Sequence, residues 1–147
     1  MKSHHDNTVS LEEHAAAAVR LGRELSQMAA ALYAGGNTHD HTFVKRTLQR
    51  LGEREPFDPR DDASLQALPG IIDADLKSEI AGYEGVFVET HFDEHGQHGE
   101  VRDVPRYTER GQKLVQLAET LSQFVSARNA VIDQIAAERA ILRMLRT

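Results

Sequence analysis

Apolar residues return at every third, fourth or seventh position through the last third of the chain, which is the spacing of one face of an α-helix. Thr108 precedes this stripe as an N-cap, and Glu109 follows in the first turn, where the helix dipole favours an anion. The pattern predicts a C-terminal helix over residues 106–146. Its apolar face is formed by Leu114, Leu117, Leu121, Phe124, Val131, Ile135 and Leu142.

The length of this helix has a consequence for assembly. About 40 residues at 1.5 Å per residue extend roughly 60 Å, which exceeds the diameter expected of a compact domain of 147 residues. Part of the stripe must therefore pack against something outside its own domain, and a second copy of the chain is the simplest partner. We expect a homodimer whose interface uses the stripe and an N-terminal helix over residues 10–33.

The N-terminal helix is predicted from a capping-box pattern at Ser10 and Glu13 and from helical spacing of apolar residues up to Tyr33. Residues 42–104 then predict short helices and a β-hairpin. The short helices are expected over residues 42–51, 61–68 and 71–83, with a turn at Pro69-Gly70. The expected fold is mainly α with a β-hairpin, in a single domain over residues 1–147.

The hairpin is predicted from alternation of apolar and polar residues, which is typical of a half-buried strand. We expect the chain to reverse at His95-Gly96, where glycine can supply the positive φ of a tight turn. The hairpin would then span residues 86–104. Its three charge-complementary cross-strand pairs would be Glu89 with Arg102, His91 with Glu100, and Asp93 with His98.

One face of this hairpin would carry a candidate metal site. His91, Asp93, His98 and Glu100 are expected there together, and imidazole nitrogens and carboxylate oxygens bind zinc and other divalent ions. The competing interpretation is that these side chains pair with one another as salt bridges. We favour the salt-bridge interpretation, because an exposed hairpin tip offers a metal little support from surrounding groups, so we expect neither a metal nor a cofactor.

Composition narrows the class of protein. The chain has no cysteine, which excludes disulfides, thiol catalysis and thiolate metal ligands. It has no Gly-rich phosphate loop and no G-x-S-x-G motif, so we expect a protein that is not an enzyme. No apolar run approaches about 18 residues, and the N-terminus lacks the apolar core of a signal peptide. We therefore expect a cytoplasmic protein that does not enter a membrane.

The order of these elements resembles that of winged-helix transcription regulators of the MarR (multiple antibiotic resistance regulator) family. Their wing is typically followed by Leu-Thr-x-x-Gly at the start of a helix, and Tyr107-Thr108-Glu109-Arg110-Gly111 is similar to this motif. The resemblance implies a winged-helix-like core flanked by long N- and C-terminal dimerisation helices. It also implies a wing at residues 86–104 and a DNA-reading helix at residues 71–83. The chain departs from the family in lacking the Asp-x-Arg of the wing and a basic reading helix.

Charge argues against DNA as the partner. Residues 53–100 contain 13 acidic and three basic side chains, a net charge of −10. Because DNA affinity rests on Lys and Arg side chains that neutralise phosphates, this segment would repel a duplex. A basic protein partner fits better, although the acids can also be interpreted as a solvated surface. The candidate partner-binding residues are Asp73, Asp75, Glu79, Glu84 and Glu89.

Three functions remain open from the sequence. The first is a non-catalytic regulatory or adaptor protein on a degenerate winged-helix scaffold, binding a protein partner through its acidic middle region. The second is a MarR-type DNA-binding transcription regulator. The third is a structural coiled-coil subunit of a larger assembly, with the C-terminal helix as its main interface.

Overall fold

A computed structural model describes the backbone of residues 2–35, 38–53 and 55–146, and their side chains from Leu11 onward. The fold is mainly helical with a two-stranded antiparallel hairpin, which confirms the predicted fold class at that level. The helices are α1 (Lys2–Leu32), α2 (His39–Glu53), α3 (Asp62–Ser78) and α4 (Glu109–Arg146), the strands are β1 (Ile80–Asp93) and β2 (Gly96–Tyr107), and a 3-10 turn covers Pro59–Asp61.

The core lies where α1 packs against both α2 and α4. Gly22 of α1 lies beside the Phe124 ring of α4, and Tyr33, just after α1, lies beside Arg110 at the start of α4. The two long helices therefore run antiparallel. The fully buried side chains along this contact include Leu25 and Phe124, so the α1–α4 pair organises the interior.

This packing corrects the predicted dimer interface. Five of the seven interface residues are buried within the chain itself: Leu114, Leu117, Leu121, Phe124 and Val131. The prediction compared α4 with the size of a compact domain and did not allow for a second long helix, the 31-residue α1, packed beside it. Ile135 is only partly buried, and Leu142 is exposed. Dimerisation stays a prediction, and of the seven predicted interface residues only Leu142, near the end of α4, is exposed.

The N-terminal helix begins earlier than predicted. Its backbone is helical from Lys2 rather than from the expected N-cap at Ser10, whose side chain lies outside the described residues.

The middle of the chain contains one helix where two were predicted. Residues 62–78 form α3 without a break at Pro69, and residues 80–83 belong to β1 rather than to a helix. Proline removes one backbone hydrogen bond and is costly inside a helix, but Leu65, Leu68 and Ile72 bury one face of α3 and hold it together. The family resemblance assigned DNA reading to a helix at residues 71–83. In the structure, the first part of this range is the second half of α3 and the last part is the start of β1.

The hairpin exists, but its register differs from the prediction. The turn residues are Glu94 and His95, and Gly96 follows with a φ of 112°, a left-handed conformation that glycine adopts without a steric cost. His91 therefore lies opposite His98, and Asp93 lies opposite Gly96.

A register shift between Glu89 and His91 adds one residue to β1. Such a bulge exchanges the faces on which later residues lie. As a result Glu89 lies opposite Gly99 instead of Arg102, and Glu100 lies opposite Val88 instead of His91.

The predicted start of α4 is confirmed at Thr108. The Gly111 N–H donates to the Thr108 hydroxyl at 3.1 Å, and the Thr108 N–H donates to the Glu79 carbonyl at 3.0 Å. Gly111 is enclosed by this contact, because a Cβ atom added there would lie 2.8 Å from Tyr107 Cβ and 3.0 Å from Glu79 Cβ. The last residue of the Thr-x-x-Gly motif is therefore required for close approach of α4 to the end of α3.

We expect Gly111→Ala to destabilise the fold by about 2 kcal/mol, because the added methyl group forces neighbouring backbone to move. Gly70→Ala is the matched control: it lies within α3, and an added Cβ meets nothing within 4 Å. Alanine favours the helix there, and we expect a stabilisation of about 0.5 kcal/mol. Urea unfolding of both variants measures the difference, and equal free energies of unfolding would contradict the close approach.

Candidate functional site

The carboxylate of Asp75, on α3, lies where all four helices meet. Arg110 of α4 donates to it through Nη1 and Nη2, at 2.9 Å from Oδ1 and 3.0 Å from Oδ2. The Tyr33 hydroxyl donates to Oδ2 at 3.0 Å, and His41 Nε2 of α2 lies 3.7 Å from the same oxygen. We call these four residues the Asp75 cluster.

Within the Asp75 cluster, Asp75, Tyr33 and Arg110 hold one another in defined protonation states. Burial alone would raise the pKa of Asp75, but hydrogen bonds from Arg110 and Tyr33 outweigh it and keep this pKa below its ordinary value. Burial and the neighbouring carboxylate raise the pKa of Tyr33 well above its usual range, so its hydroxyl remains a donor. The hydrogen bond to Asp75 raises the pKa of Arg110. The cluster is a closed, hydrogen-bonded ion pair.

Glu79 connects this cluster to the hairpin. Its Oε1 accepts from Arg110 at 3.4 Å, and its Oε2 accepts from the Thr108 hydroxyl. Asp75 and Glu79 were predicted to bind a partner, and that assignment is corrected here. The Asp75 side chain is only 7% exposed, and both carboxylates are occupied by residues from the start of α4.

Arginines from outside residues 53–100 also neutralise acids within that segment. Asp61 is paired with Arg50 at 3.3 Å, and Asp62 is paired with Arg128 at 2.7 Å. The net charge of this segment therefore overstates the negative charge that a partner would meet on the folded surface.

Three of the predicted partner-binding acids remain exposed, and two of them lie on the hairpin. Asp73 lies on α3 and pairs with Lys77 one turn further on, at 3.1 Å. Glu84 and Glu89 lie on β1 and are exposed. Of the predicted acidic surface, the exposed residues are therefore one acid on α3 and two on the hairpin.

The hairpin carries a row of large apolar side chains on one face. Strand pairing and the bulge place Tyr83, Phe87, Phe92 and Val101 on the same side, which we call the aromatic face. These four side chains are between 57% and 72% exposed. Three of the chain's eight aromatic residues, five Phe and three Tyr, are therefore held in solvent on one surface.

The sequence pattern did not predict the aromatic face. Strict alternation along β1 predicts Phe92 on the face of Val86 and Val88, and Phe87 on the opposite face with Glu89, because it allows for no bulge between them. The bulge brings Phe92 onto the face of Phe87. The signal that could have found this face is the pairing of Phe87 with Val101 across the strands, which depends on the register.

The opposite face of the hairpin carries the histidines at its free end. His91, Asp93 and His98 bring ligand atoms within 4.8 Å of one another, and this is a group that could hold a metal ion. Glu100, the fourth predicted ligand, accepts from Arg102 Nε at 2.7 Å. The structure therefore brings three of the four candidates together.

The end of α4 is a second exposed apolar surface. We call residues 132–146 the α4 tail. Its large apolar side chains Ile141, Leu142, Met144 and Leu145 are between 55% and 77% exposed. Arginines are interspersed with them, at Arg139, Arg143 and Arg146.

A groove of about 770 Å³ runs between α3 and α4. Its apolar wall includes Leu65, Ile72 and Val125. Arg128 lines it as well, but its guanidinium donates to the carbonyls of Pro56 and Asp58 at 2.7 and 2.8 Å. This arginine therefore links α4 to the loop before α3.

No family model, curated protein or solved structure matches the chain. The resemblance to MarR-type regulators stays an expectation. Among the described residues, no helix is long and apolar enough to cross a membrane.

We expect Asp75→Asn to destabilise the protein at neutral pH by about 2 kcal/mol, because it leaves Arg110 without its charge partner. The folded-state pKa of Asp75 is depressed, so its stabilisation is present above the unfolded value of about 3.9 and is lost as pH falls through the folded one. The difference in unfolding free energy between the variant and the wild type should therefore become smaller at acidic pH.

Asp73→Asn is the matched control on the same helix. Its partner Lys77 is one turn away and both side chains are exposed. We therefore expect the substitution to lower the free energy of unfolding by less than about 0.5 kcal/mol. Unfolding by urea between neutral and acidic pH measures both variants. Equal losses, or a pH-independent loss at Asp75, would contradict the ion pair.

Proposed function

We propose that this protein acts by binding rather than by catalysis, as a dimeric regulatory or adaptor protein on a winged-helix-like scaffold. A protein partner contacts the aromatic face of the hairpin, and the α4 tails join two copies. The observation that carries the proposal is the exposed row of Tyr83, Phe87, Phe92 and Val101. Large apolar side chains gathered on one exposed face are a feature of protein interaction sites.

The length of the aromatic face suits an extended partner. At about 3.3 Å per residue, the distance along β1 from Tyr83 to Phe92 is roughly 30 Å. Aromatic side chains contribute much of the binding energy in protein interfaces, because they bury a large area with few rotatable bonds. Both strands also have an unpaired edge, to which a partner strand can add hydrogen bonds.

Charge defines the chemistry of the partner. Glu89 and Asp103 lie on the aromatic face, and Glu84 lies on the other face of the same strand. We propose a partner segment in which apolar residues alternate with Lys or Arg. The same acids disfavour a nucleic-acid phosphate backbone, so the DNA-binding alternative receives no support from this surface.

The α4 tail supports a dimer of this chain. A second copy of the chain offers apolar cover for the exposed Leu142 and Leu145 side chains of the tail. If two tails pair antiparallel about the midpoint between Glu138 and Arg139, Ile135 of one copy meets Leu142 of the other. Glu138 then meets the second copy's Arg139, so charge and apolar pattern agree in one register.

To test the aromatic face, a random peptide library displayed on phage is selected against the wild-type protein. We expect enrichment of peptides that combine apolar residues with Lys or Arg. The double variant Phe87→Ser/Val101→Ser should lose this binding by at least about tenfold, since it removes two central contacts. Leu142→Ser, which removes an equally exposed apolar side chain from the α4 tail, should retain it.

Three results would contradict this site: no enrichment, enrichment of acidic peptides, or equal binding by the hairpin variant and the wild type. Circular dichroism checks that the hairpin variant remains folded, which is expected because both substituted side chains are exposed.

To test the dimer, the mass in solution is measured by sedimentation equilibrium at tens of micromolar. We expect the wild type to be a dimer and Leu142→Glu to be a monomer, because a charge in the apolar contact between tails lacks a partner. Ala140→Glu is the matched control, since it adds the same charge to the other side of the helix. A monomeric wild type, or dissociation by Ala140→Glu alone, would overturn the proposed pairing.

A further inference from the structure

We infer that His91, Asp93 and His98 form a binding site for a divalent transition-metal ion, such as zinc, at the free end of the hairpin. The site lies on the face opposite the aromatic face, so it is independent of the proposed partner surface. Two imidazoles and one carboxylate are a donor set that zinc accepts, with a fourth coordination position left for water or another ligand.

The distances suit an ion of this size. Ligand atoms about 2.1 Å from a tetrahedral zinc ion lie roughly 3.4 Å from one another. His98 Nε2 lies 2.9 Å from Asp93 Oδ1, and His91 Nε2 lies 4.0 Å from Asp93 Oδ2. One ligand atom from each of the three residues lies within 4.8 Å of the other two. All three side chains are at least partly exposed, so small rotations of the rings complete the geometry without a change in the core.

The two imidazoles of the site converge on one carboxylate. The His91 and His98 rings are 4.6 Å apart and 13° from parallel, and each has Nε2 within 4.0 Å of an Asp93 carboxylate oxygen. A divalent ion can bind two imidazole nitrogens and a carboxylate oxygen at once, so this convergence suits a shared ion.

Neighbouring groups orient two of the three ligands. The Thr90 hydroxyl lies 3.3 Å from His91 Nδ1, which directs the other ring nitrogen toward Asp93. The His95 N–H donates to Asp93 Oδ1 at 2.8 Å. Such outer contacts fix the orientation of metal ligands and add to affinity. The β-bulge brings His91 and Asp93 onto the face of His98, so the fold assembles this set.

The test is a titration of the full-length protein with zinc sulfate, followed by isothermal calorimetry. His4→Ala/His5→Ala is the background for every variant, because two adjacent histidines near the N-terminus can bind metal on their own. We expect one zinc ion per chain in this background. His91→Ala and His98→Ala should each weaken binding by at least about tenfold.

Two control variants make the assignment specific. Glu100→Gln removes a carboxylate two residues from His98 that is already bonded to Arg102, and His39→Ala removes an exposed imidazole on α2; both should bind zinc as the background does. The ring protons of His91 and His98 should shift on saturation in NMR spectra, and those of His39 should not. Absence of saturable binding, or equal affinity in the His98→Ala and background proteins, would overturn the site.

Discussion

The ion pair between Asp75 and Arg110 is the interaction on which the arrangement of the helices depends. It joins α3 to α4, while Tyr33 and His41 add the end of α1 and the start of α2 to the same carboxylate. Asp75 is buried while Arg110 is partly exposed, and a buried charge stabilises a protein only when it is paired and the hydrogen-bonding groups of the pair are satisfied. That condition is met here, because Arg110 also donates to the Leu32 carbonyl and to Glu79.

The same cluster determines where the hairpin leaves the body of the protein. Glu79 lies between α3 and β1, and it is bonded to Thr108 at the other end of the hairpin through both backbone and side chain. The start of β1 and the end of β2 are therefore held together by the bonds between Glu79 and Thr108. Toward the turn, by contrast, the side chains are largely exposed, so the hairpin presents its two faces to whatever approaches.

Much of the local structure could be predicted from the sequence, because its causes are local. The cap at Thr108, the helical spacing of α4 and the alternation of the hairpin depend on residues a few positions apart. Several of the failures involve residues that are distant in sequence. Arg50, Arg110 and Arg128 reach acids in another part of the chain, and no spacing rule reveals such pairs. The burial of Leu114 and Leu117 likewise depends on α1, which lies far away in sequence.

The bulge in β1 divides the hairpin into two parts that differ in which residues lie on each face. Before it, odd-numbered residues of β1 such as Phe87 share the aromatic face; after it, the even-numbered Phe92 does. Substitutions on one face can accumulate without disturbing the chemistry of the other face, so the two surfaces are free to diverge independently. Loss of a single residue at the bulge would have a different effect, because it would carry every side chain of the tip to the opposite surface at once.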